Sequence, residues 1–182
     1  MAANIWNIDP SHSAIHFSVR HMVVSKTRGR FTKWGGQIAF DPADPAQGSV
    51  EVNIDPASLD TADAQRDAHL RSADFFDVEK FPAASFKSTG IEDLGGGQLR
   101  VRGNLTVHGV TRPVVLEALY EGNGKDPWGG ERAGFSASTT IDRREFGLQW
   151  NKALETGGVL VGDKVELTLE VEAVKQAVQK VA

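Results

Sequence analysis

The stretch KVELTLEVEAV, residues 164–174, alternates apolar and polar side chains with a period of two. Its odd-numbered positions from Val165 to Val171 are all Val or Leu, and the positions between them are Glu or Thr. Successive side chains of a β-strand point to opposite faces. The pattern therefore predicts a strand with one buried face and one face in water.

The same alternation occurs elsewhere, in SVEVNID (49–55), QLRVRGNLTVHG (98–109) and PVVLEALYEG (113–122). Segments rich in Gly, Pro, Asp and Asn separate these runs: DPADPAQG, DLGGGQ, HGVTRP, EGNGKDPWGG and ETGGVLVGD. We interpret them as turns. Many short strands joined by turns indicate an antiparallel sandwich or barrel rather than alternating strands and helices.

Two segments depart from this rhythm. TADAQRDAHLRS (61–72) has helical propensity, and Thr61 is placed to cap its start. The tail EAVKQAVQKVA (172–182) predicts a short amphipathic helix after the last strand. Because no linker divides the chain, residues 1–182 are predicted to form a single domain.

Composition excludes several classes of function. The 182 residues include no cysteine, so there is no disulfide, no thiolate metal site and no cysteine nucleophile. A net charge of −4 offers no general attraction to a phosphate backbone, which argues against nucleic acid as a partner.

We expect no transmembrane segment, since no apolar run approaches the length of about 20 residues that a bilayer requires. Without a visible signal peptide a cytoplasmic location is expected, or a periplasmic one if a leader was removed.

The densest chemistry lies in RDAHLRSADFFDVEKFP (66–82), which mixes charges, a histidine and three phenylalanines. As a helix, its first part would place Arg66, His69 and Leu70 on one face. One interpretation is a solvated helix whose apolar residues plug the end of a barrel. The other is a lid whose polar residues meet a ligand head group. Periodicity alone leaves both open.

Metal and hydrolase chemistries are weakly supported. His12 and His16 are the nearest pair among five histidines, but in a strand they would lie about 13 Å apart and could not share a small ion. A turn at residues 11–13, or His108 as a partner, would be needed for a metal site. Asp9, Ser11 and His12 contain the residue types of a hydrolase triad, but the chain has no G-x-S-x-G motif. We predict no metal and no catalytic residues.

Six blocks together resemble the YceI-like family of polyisoprenoid-binding proteins: WNIDPSHSAIHFSVRH, GRFTKWGGQIAFDP, RDAHLRSADFFDVEKFPAASFKST, VRGNLTVHGVTRPV, RREFGLQWN and VGDKVELTLEVEA. The resemblance runs from about residue 6 to 173 and leaves 174–182 as a C-terminal tail. It implies an all-β fold: an extended antiparallel, eight-stranded, lipocalin-like β-barrel with one or two short helices. It also implies a non-enzymatic carrier whose apolar tunnel holds a long isoprenoid lipid such as a polyprenyl phosphate or an isoprenoid quinone.

From the matching blocks we predict ligand-binding residues. The tunnel candidates are Phe17, Val19, Phe31, Phe75, Phe76, Phe81, Phe86, Leu105, Phe135 and Trp150. The mouth candidates are Arg20, His21, Arg66 and His69, because Arg and His donors suit a phosphate or quinone head group. For each of these residues, plain core packing or surface pairing is the competing interpretation.

The sequence leaves alternatives open for the function and for the partners. The barrel could bind other amphiphiles, such as fatty acids, their amides or lipophilic toxins. It could also be an enzyme acting on such a lipid, with His69 or His21 as a general acid or base. The expected partner is the isoprenoid lipid, with no cofactor besides it. Transient membrane contact and a homodimer are further expectations.

Overall fold

The computed structural model describes residues 3–177, which consist mainly of antiparallel strands. Within that range lie eleven strands and one α-helix: β1 Asn4–Ile8, β2 Ala14–His21, β3 Ser25–Phe31, β4 Trp34–Phe40, β5 Ser49–Ile54, β6 Leu59–Asp60, α1 Ala64–Arg71, β7 Ala84–Gly95, β8 Gln98–Val107, β9 Val110–Lys125, β10 Glu131–Asp142 and β11 Val161–Lys175. Short 3₁₀ turns at Pro10–His12, Pro45–Gln47, Pro56–Ser58 and Arg143–Phe146 join some of them.

Eight of the strands form a closed ring in the order β1, β4, β5, β7, β8, β9, β10, β11 and back to β1. β11 closes the ring because it is shared: its last residues pair with β1, and its earlier residues pair with β2. β2 then leads through β3 to the short β6, which extends the sheet beyond the ring. The predicted eight-stranded antiparallel barrel is confirmed.

The alternating residues 164–174 form part of the wall of this barrel. β11 pairs in register with β10, so that Val171 lies opposite Phe135 and Leu169 opposite Ala137, all on the inner face. Glu166 and Glu170 point to the outer face and are exposed. The strand predicted here is confirmed.

The C-terminal helix prediction is wrong where it can be checked. Residues 172–175 continue β11, because the alternation persists and Lys175 pairs with Trp6 of β1. Residues 176 and 177 follow the strand without regular structure, and 178–182 lie outside the described residues.

The other predicted helix forms, but it begins further along the chain than expected. α1 is capped by Asp63, whose carboxylate accepts the Arg66 N–H at 2.9 Å. Thr61 is therefore not the cap: Ala62, at φ +63°, reverses the chain before the helix starts. Within residues 3–177 no helix is long and apolar enough to cross a bilayer.

Some predicted turns are shorter than the sequence suggested. Of HGVTRP, only His108 and Gly109 form a turn, both with positive φ, and β9 begins at Val110. The remaining residues pair with β8, as in Pro113 opposite Asn104, because cross-strand bonding outweighs local turn preference. The long strands that result make the barrel deep. We call the end that carries α1 and the start of β11 the mouth, and the end that carries Phe40 and the end of β11 the floor.

Candidate functional site

The interior of the barrel is hollow. A cavity of about 630 Å³ runs between the mouth and the floor, which is within the range of sites for small organic ligands. Aliphatic side chains form its wall, and many of them are only partly buried although they face the inside of a closed barrel. They include Val114, Leu116 and Ala118 of β9 and Val165, Leu167 and Leu169 of β11. Their remaining exposed surface is therefore the surface of the cavity.

Aromatic rings close the floor. Phe40 and Phe135 line the cavity with ring centroids 5.2 Å apart, and Tyr120 packs against both rings at 5.0 and 5.5 Å. Behind them, the Trp6 indole N–H donates to the Phe40 carbonyl at 3.1 Å. Burial raises the pKa of Tyr120, and the nearby carboxylate of Glu131 adds to the effect. The floor is thus a packed, neutral aromatic cluster held by strands of the sheet.

The mouth is built from segments between strands. Phe75, from the loop after α1, packs against Trp150 at 5.3 Å, and the His69 ring sits edge-on to both at 5.1 and 4.7 Å. Nearby, Phe76 meets Phe31 of β3 edge to face at 6.0 Å. The helix and its following loop therefore place aromatic surface toward the cavity.

Hydrogen bonds hold α1 over the mouth. Asp67, which is buried, accepts both the N–H and the hydroxyl of Thr61. Arg66 donates from Nε to the Thr61 hydroxyl at 2.8 Å and from Nη2 to the Thr61 carbonyl at 2.7 Å. Arg66 also borders the cavity. Its position is therefore fixed by Thr61 rather than by the flanking Asp63 and Asp67 carboxylates.

Arg143 is a buried cation that our sequence reasoning missed. Only 4% of it is exposed, and it donates to the carbonyls of Leu148, Trp150, Val161 and Gly162. Desolvation lowers its pKa, while the nearby Asp163 acts in the opposite direction. Arg143 thereby ties the loop before β11 to the barrel and sets the position of Trp150 at the mouth. The only signal was its place in the RREFGLQWN block, where an arginine beside a second arginine gives no sign of burial.

Comparison with known proteins identifies the family. A family model described as the YceI-like domain matches residues 6–173. A UPF0312 protein of Vibrio cholerae is 50% identical over 139 residues, which cover 76% of this chain and 74% of that relative. The chain belongs to the YceI-like family. The resemblance seen in the sequence is confirmed.

Solved structures share the barrel. BcnA of Burkholderia cenocepacia superposes with a TM-score of 0.81 at 29% identity, covering 91% of this chain and 98% of BcnA. A polyisoprenoid-binding domain from Saccharophagus degradans superposes with a TM-score of 0.67, covering 96% of this chain and 99% of that domain. At 14% identity, this second likeness shows the fold alone.

The structure of this YceI-like chain brings most of the predicted binding residues together. The cavity is bordered by Phe17, Val19, Arg20, His21, Phe31, Arg66, His69, Phe75, Phe76, Phe86, Leu105, Phe135 and Trp150. Their contact with a ligand stays a prediction. The prediction left out the aliphatic wall of β9 and β11 and the floor residue Phe40, although the period-two pattern already placed Leu167 and Leu169 on one face.

Phe81 is the exception. It does not border the cavity but packs against the His108 ring, with centroids 4.6 Å apart. The Lys80 ammonium lies 5.5 Å from the centroid of the Phe81 ring. Its position in the FFDVEKFP stretch suggested the tunnel, but the chain reverses at Asp77, which has φ +46°, and carries Phe81 to the turn between β8 and β9. Phe81 therefore lies outside the candidate site.

The Asp9, Ser11 and His12 group lies outside the cavity. His12 Nδ1 is 2.9 Å from Asp9 Oδ2, while the Ser11 hydroxyl donates to Asp9 Oδ1 at 2.6 Å. Arg132 occupies the space beside them, with Nη1 2.9 Å from Asp9 and 2.6 Å from Glu172. Hydrogen bonds from Ser11, His12 and Arg132 hold the pKa of Asp9 well below its usual range. This arrangement is an ion-pair network that fastens β1, β10 and β11 together.

Proposed function

We propose that this protein is a non-enzymatic binding and carrier protein that holds a long isoprenoid lipid in the cavity of its barrel. One observation carries the proposal: the closed barrel is hollow, and its aliphatic wall leads from a rim of polar side chains to an aromatic floor. Membership of the YceI-like family supports it, as does the shared fold with a domain described as polyisoprenoid-binding.

The size of the cavity fits part of such a chain. A methylene group is similar in size to a water molecule, whose share of liquid volume is about 30 Å³. A cavity of about 630 Å³ therefore takes roughly twenty carbon-sized groups, or about four isoprene units. The rest of a longer chain would extend through the mouth.

The wall supplies the binding free energy. Each buried CH₂ group contributes about 0.8 kcal/mol, so a five-carbon unit contributes roughly 3–4 kcal/mol before the cost of ordering the chain. Leu116 of β9 and Leu167 of β11 offer the ligand only carbon surface, from the two strands that flank β10. Affinity would then depend on the tail, and the rim would decide which head groups are accepted.

Four side chains at the rim suit an anionic or carbonyl-bearing head group. Arg20 and His21 end β2, while Arg66 and His69 lie on α1, and all four border the cavity. Charged and neutral N–H donors of this kind hydrogen-bond phosphate or quinone oxygens. Arg66 is already oriented by Thr61, so its guanidinium would bind without a large loss of side-chain freedom.

Neighbouring side chains hold the histidine of α1 at the mouth. His69 Nε2 is 2.9 Å from Asp74 Oδ2, and its ring packs against Phe75 and Trp150. These contacts give the imidazole a structural role in the rim. If the protein were an enzyme, it would turn over a lipid substrate. His69→Ala or His21→Ala would then abolish that turnover while lipid binding persisted.

The test is mass spectrometry of the purified protein, first in its native state and then after organic extraction. Two added probes sharpen it: a polyprenyl phosphate of about four isoprene units, and a linear saturated fatty acid with the same number of carbons. We expect one isoprenoid per protein and preference for the branched probe. Preference for the fatty acid would assign the cavity to other amphiphiles, and failure to bind either would overturn the proposal.

A further inference from the structure

The hairpin between β2 and β3 ends in three apolar residues beside the mouth. Met22, Val23 and Val24 are 46%, 64% and 83% exposed, and Val159 from the neighbouring loop is 41% exposed. These four residues form what we call the tip patch. The Met22 N–H donates to the Leu160 carbonyl at 2.8 Å, which joins the hairpin to that loop. The patch is therefore one surface contributed by two segments.

The backbone of the tip is unfavourable for its side chains. Met22 and Val23 have φ angles of +52° and +68°. Such positions in a tight hairpin favour Asn or Gly, and a β-branched residue there is an outlier. The turn thus keeps apolar side chains where folding alone would favour small polar ones. Strain of this kind is typical of functional surfaces.

The tip patch is continuous with the entrance of the cavity. Arg20 and His21 precede it on β2, Leu160 and Val161 follow it in the chain after Val159, and all four border the cavity. A hydrocarbon chain that enters at the tip would pass along these residues into the barrel.

Charges next to the patch suit a surface of anionic head groups. The hairpin residues 20–26 carry Arg20 and Lys26 and no acid, and Lys26 lies 3.3 Å from the Glu166 carboxylate of β11. Lys152, in the adjoining loop, is exposed and makes no ion pair within the described residues, although Glu155 lies nearby in sequence. The turns at the floor end carry Asp41 and Asp44, and also Asp126, which pairs with Arg132. Arg20 and Lys152 therefore place positive charge beside the tip patch, where a negative surface would meet it.

We propose that the tip patch docks on a phospholipid bilayer, with its apolar side chains in the interfacial layer and its cations at the head groups, so that the mouth faces the membrane. This inference rests on the proposed function, because docking would serve the transfer of lipid between the bilayer and the cavity. Amphipathic surfaces bind bilayers in this way when apolar burial and attraction to anionic lipids act together.

The first experiment compares binding to vesicles of equal parts phosphatidylcholine and phosphatidylglycerol by co-sedimentation. The double variant Met22→Asn/Val23→Gly removes the apolar tip and relieves the unfavourable backbone, so it is expected to fold at least as well as the parent. We expect its partitioning to fall at least tenfold, by roughly the loss of two apolar side chains from the interface. Lys152→Gln should reduce partitioning by about fivefold.

The matched control is Trp128→Ser. Trp128 is 84% exposed at the floor end, and it is the residue type with the greatest preference for membrane interfaces. We expect this variant to partition like the parent. Loss of binding in Trp128→Ser with retention in the hairpin variant would show docking by the opposite end and overturn the proposal. Equal partitioning of the hairpin variant and the parent would also overturn it.

Two further measurements separate this proposal from others. If the hairpin variant changes the oligomeric state by light scattering but not vesicle binding, the tip patch is a contact between copies and the docking proposal fails. A four-unit polyprenyl phosphate delivered from cyclodextrin should load the hairpin variant and the parent to the same extent, while loading from vesicles should be slower in the variant. Failure of the parent to load from cyclodextrin would instead count against the proposed function, and vesicle partitioning would still test docking.

Discussion

The two ends of the cavity are built in different ways. At the floor, Phe40, Phe135 and Tyr120 project from paired strands into one aromatic cluster, and Phe40 is only 1% exposed. At the mouth, rings such as Phe76 and Trp150 come from segments between strands and lie beside hydrogen-bonded polar groups. On the proposed function we infer a division of roles: the floor contributes stability and limits depth, whereas the mouth contributes access and selection.

The largest expected effect is on stability at the floor. Phe40→Ala should lower the free energy of unfolding by about 3–5 kcal/mol, because it removes a fully buried ring and leaves a void. Phe76→Ala, at the mouth, should cost only about 1 kcal/mol, because the ring is partly buried and already faces a cavity. Denaturant unfolding measures both. Equal losses would contradict the contrast between the two ends.

The next effect concerns binding at the mouth. Phe76→Asp places a carboxylate at the cavity wall, and we expect affinity for the polyprenyl phosphate probe to fall by about a hundredfold because a charge in an apolar site is costly. Phe81→Asp is the matched control, since Phe81 is also partly buried in the same block but does not border the cavity. A titration followed by intrinsic fluorescence measures both. Unchanged binding by a folded Phe76→Asp protein would place that ring outside the ligand site.

A smaller effect should appear in the choice of chain length. Phe135→Ala deepens the cavity at the floor by the volume of one ring, which corresponds to about one isoprene unit. Competition among polyprenyl phosphates of increasing length should show the preferred length rising by that amount. Trp150→Ala, which opens the mouth instead, should leave the preferred length unchanged. A shift in both variants would mean that the floor does not limit depth.

The smallest expected effect is a pH dependence of stability, which comes from the ion-pair network of Asp9, Arg132 and Glu172 outside the floor end. The pKa of Asp9 is lowered by hydrogen bonds from Ser11, His12 and Arg132, so its contribution to stability is present above the unfolded-state pKa of about 3.9 and is lost as the pH falls toward the folded value. Asp9→Asn should lower the melting temperature by about 3 °C at neutral pH. Thermal melts across a pH series should show the difference between the variant and the parent shrinking in acid. A difference that is constant with pH would contradict this role for the carboxylate.

Much of the site could be predicted because it belongs to regular strands. In β2 and β11 alternate residues face the cavity, so Phe17 and Val19, predicted from the blocks that resemble the family, lie together on one face of β2. Residues after a change of chain direction could not be found in this way. Phe81 was misplaced because Asp77 reverses the chain, and Thr61 was assigned to the wrong role because Ala62 does the same.

Arg143 shows a different limit. Its burial depends on carbonyls from residues 148–162 converging on one guanidinium, and a linear pattern does not show which loop will supply acceptors. The floor is a similar case. Phe40, Tyr120 and Phe135 lie on three strands that become neighbours in space only when the ring of strands has formed.

By itself the sequence determined the strands, the closed antiparallel barrel through its family resemblance, and the apolar character of the inner face, because side-chain alternation in a strand is a local property. The tertiary structure alone decided that the interior is hollow rather than filled. It also decided which end is sealed and where the apolar hairpin tip lies relative to the mouth. Those features depend on the distances between strands distant in the chain, and local patterns contain no information about such distances.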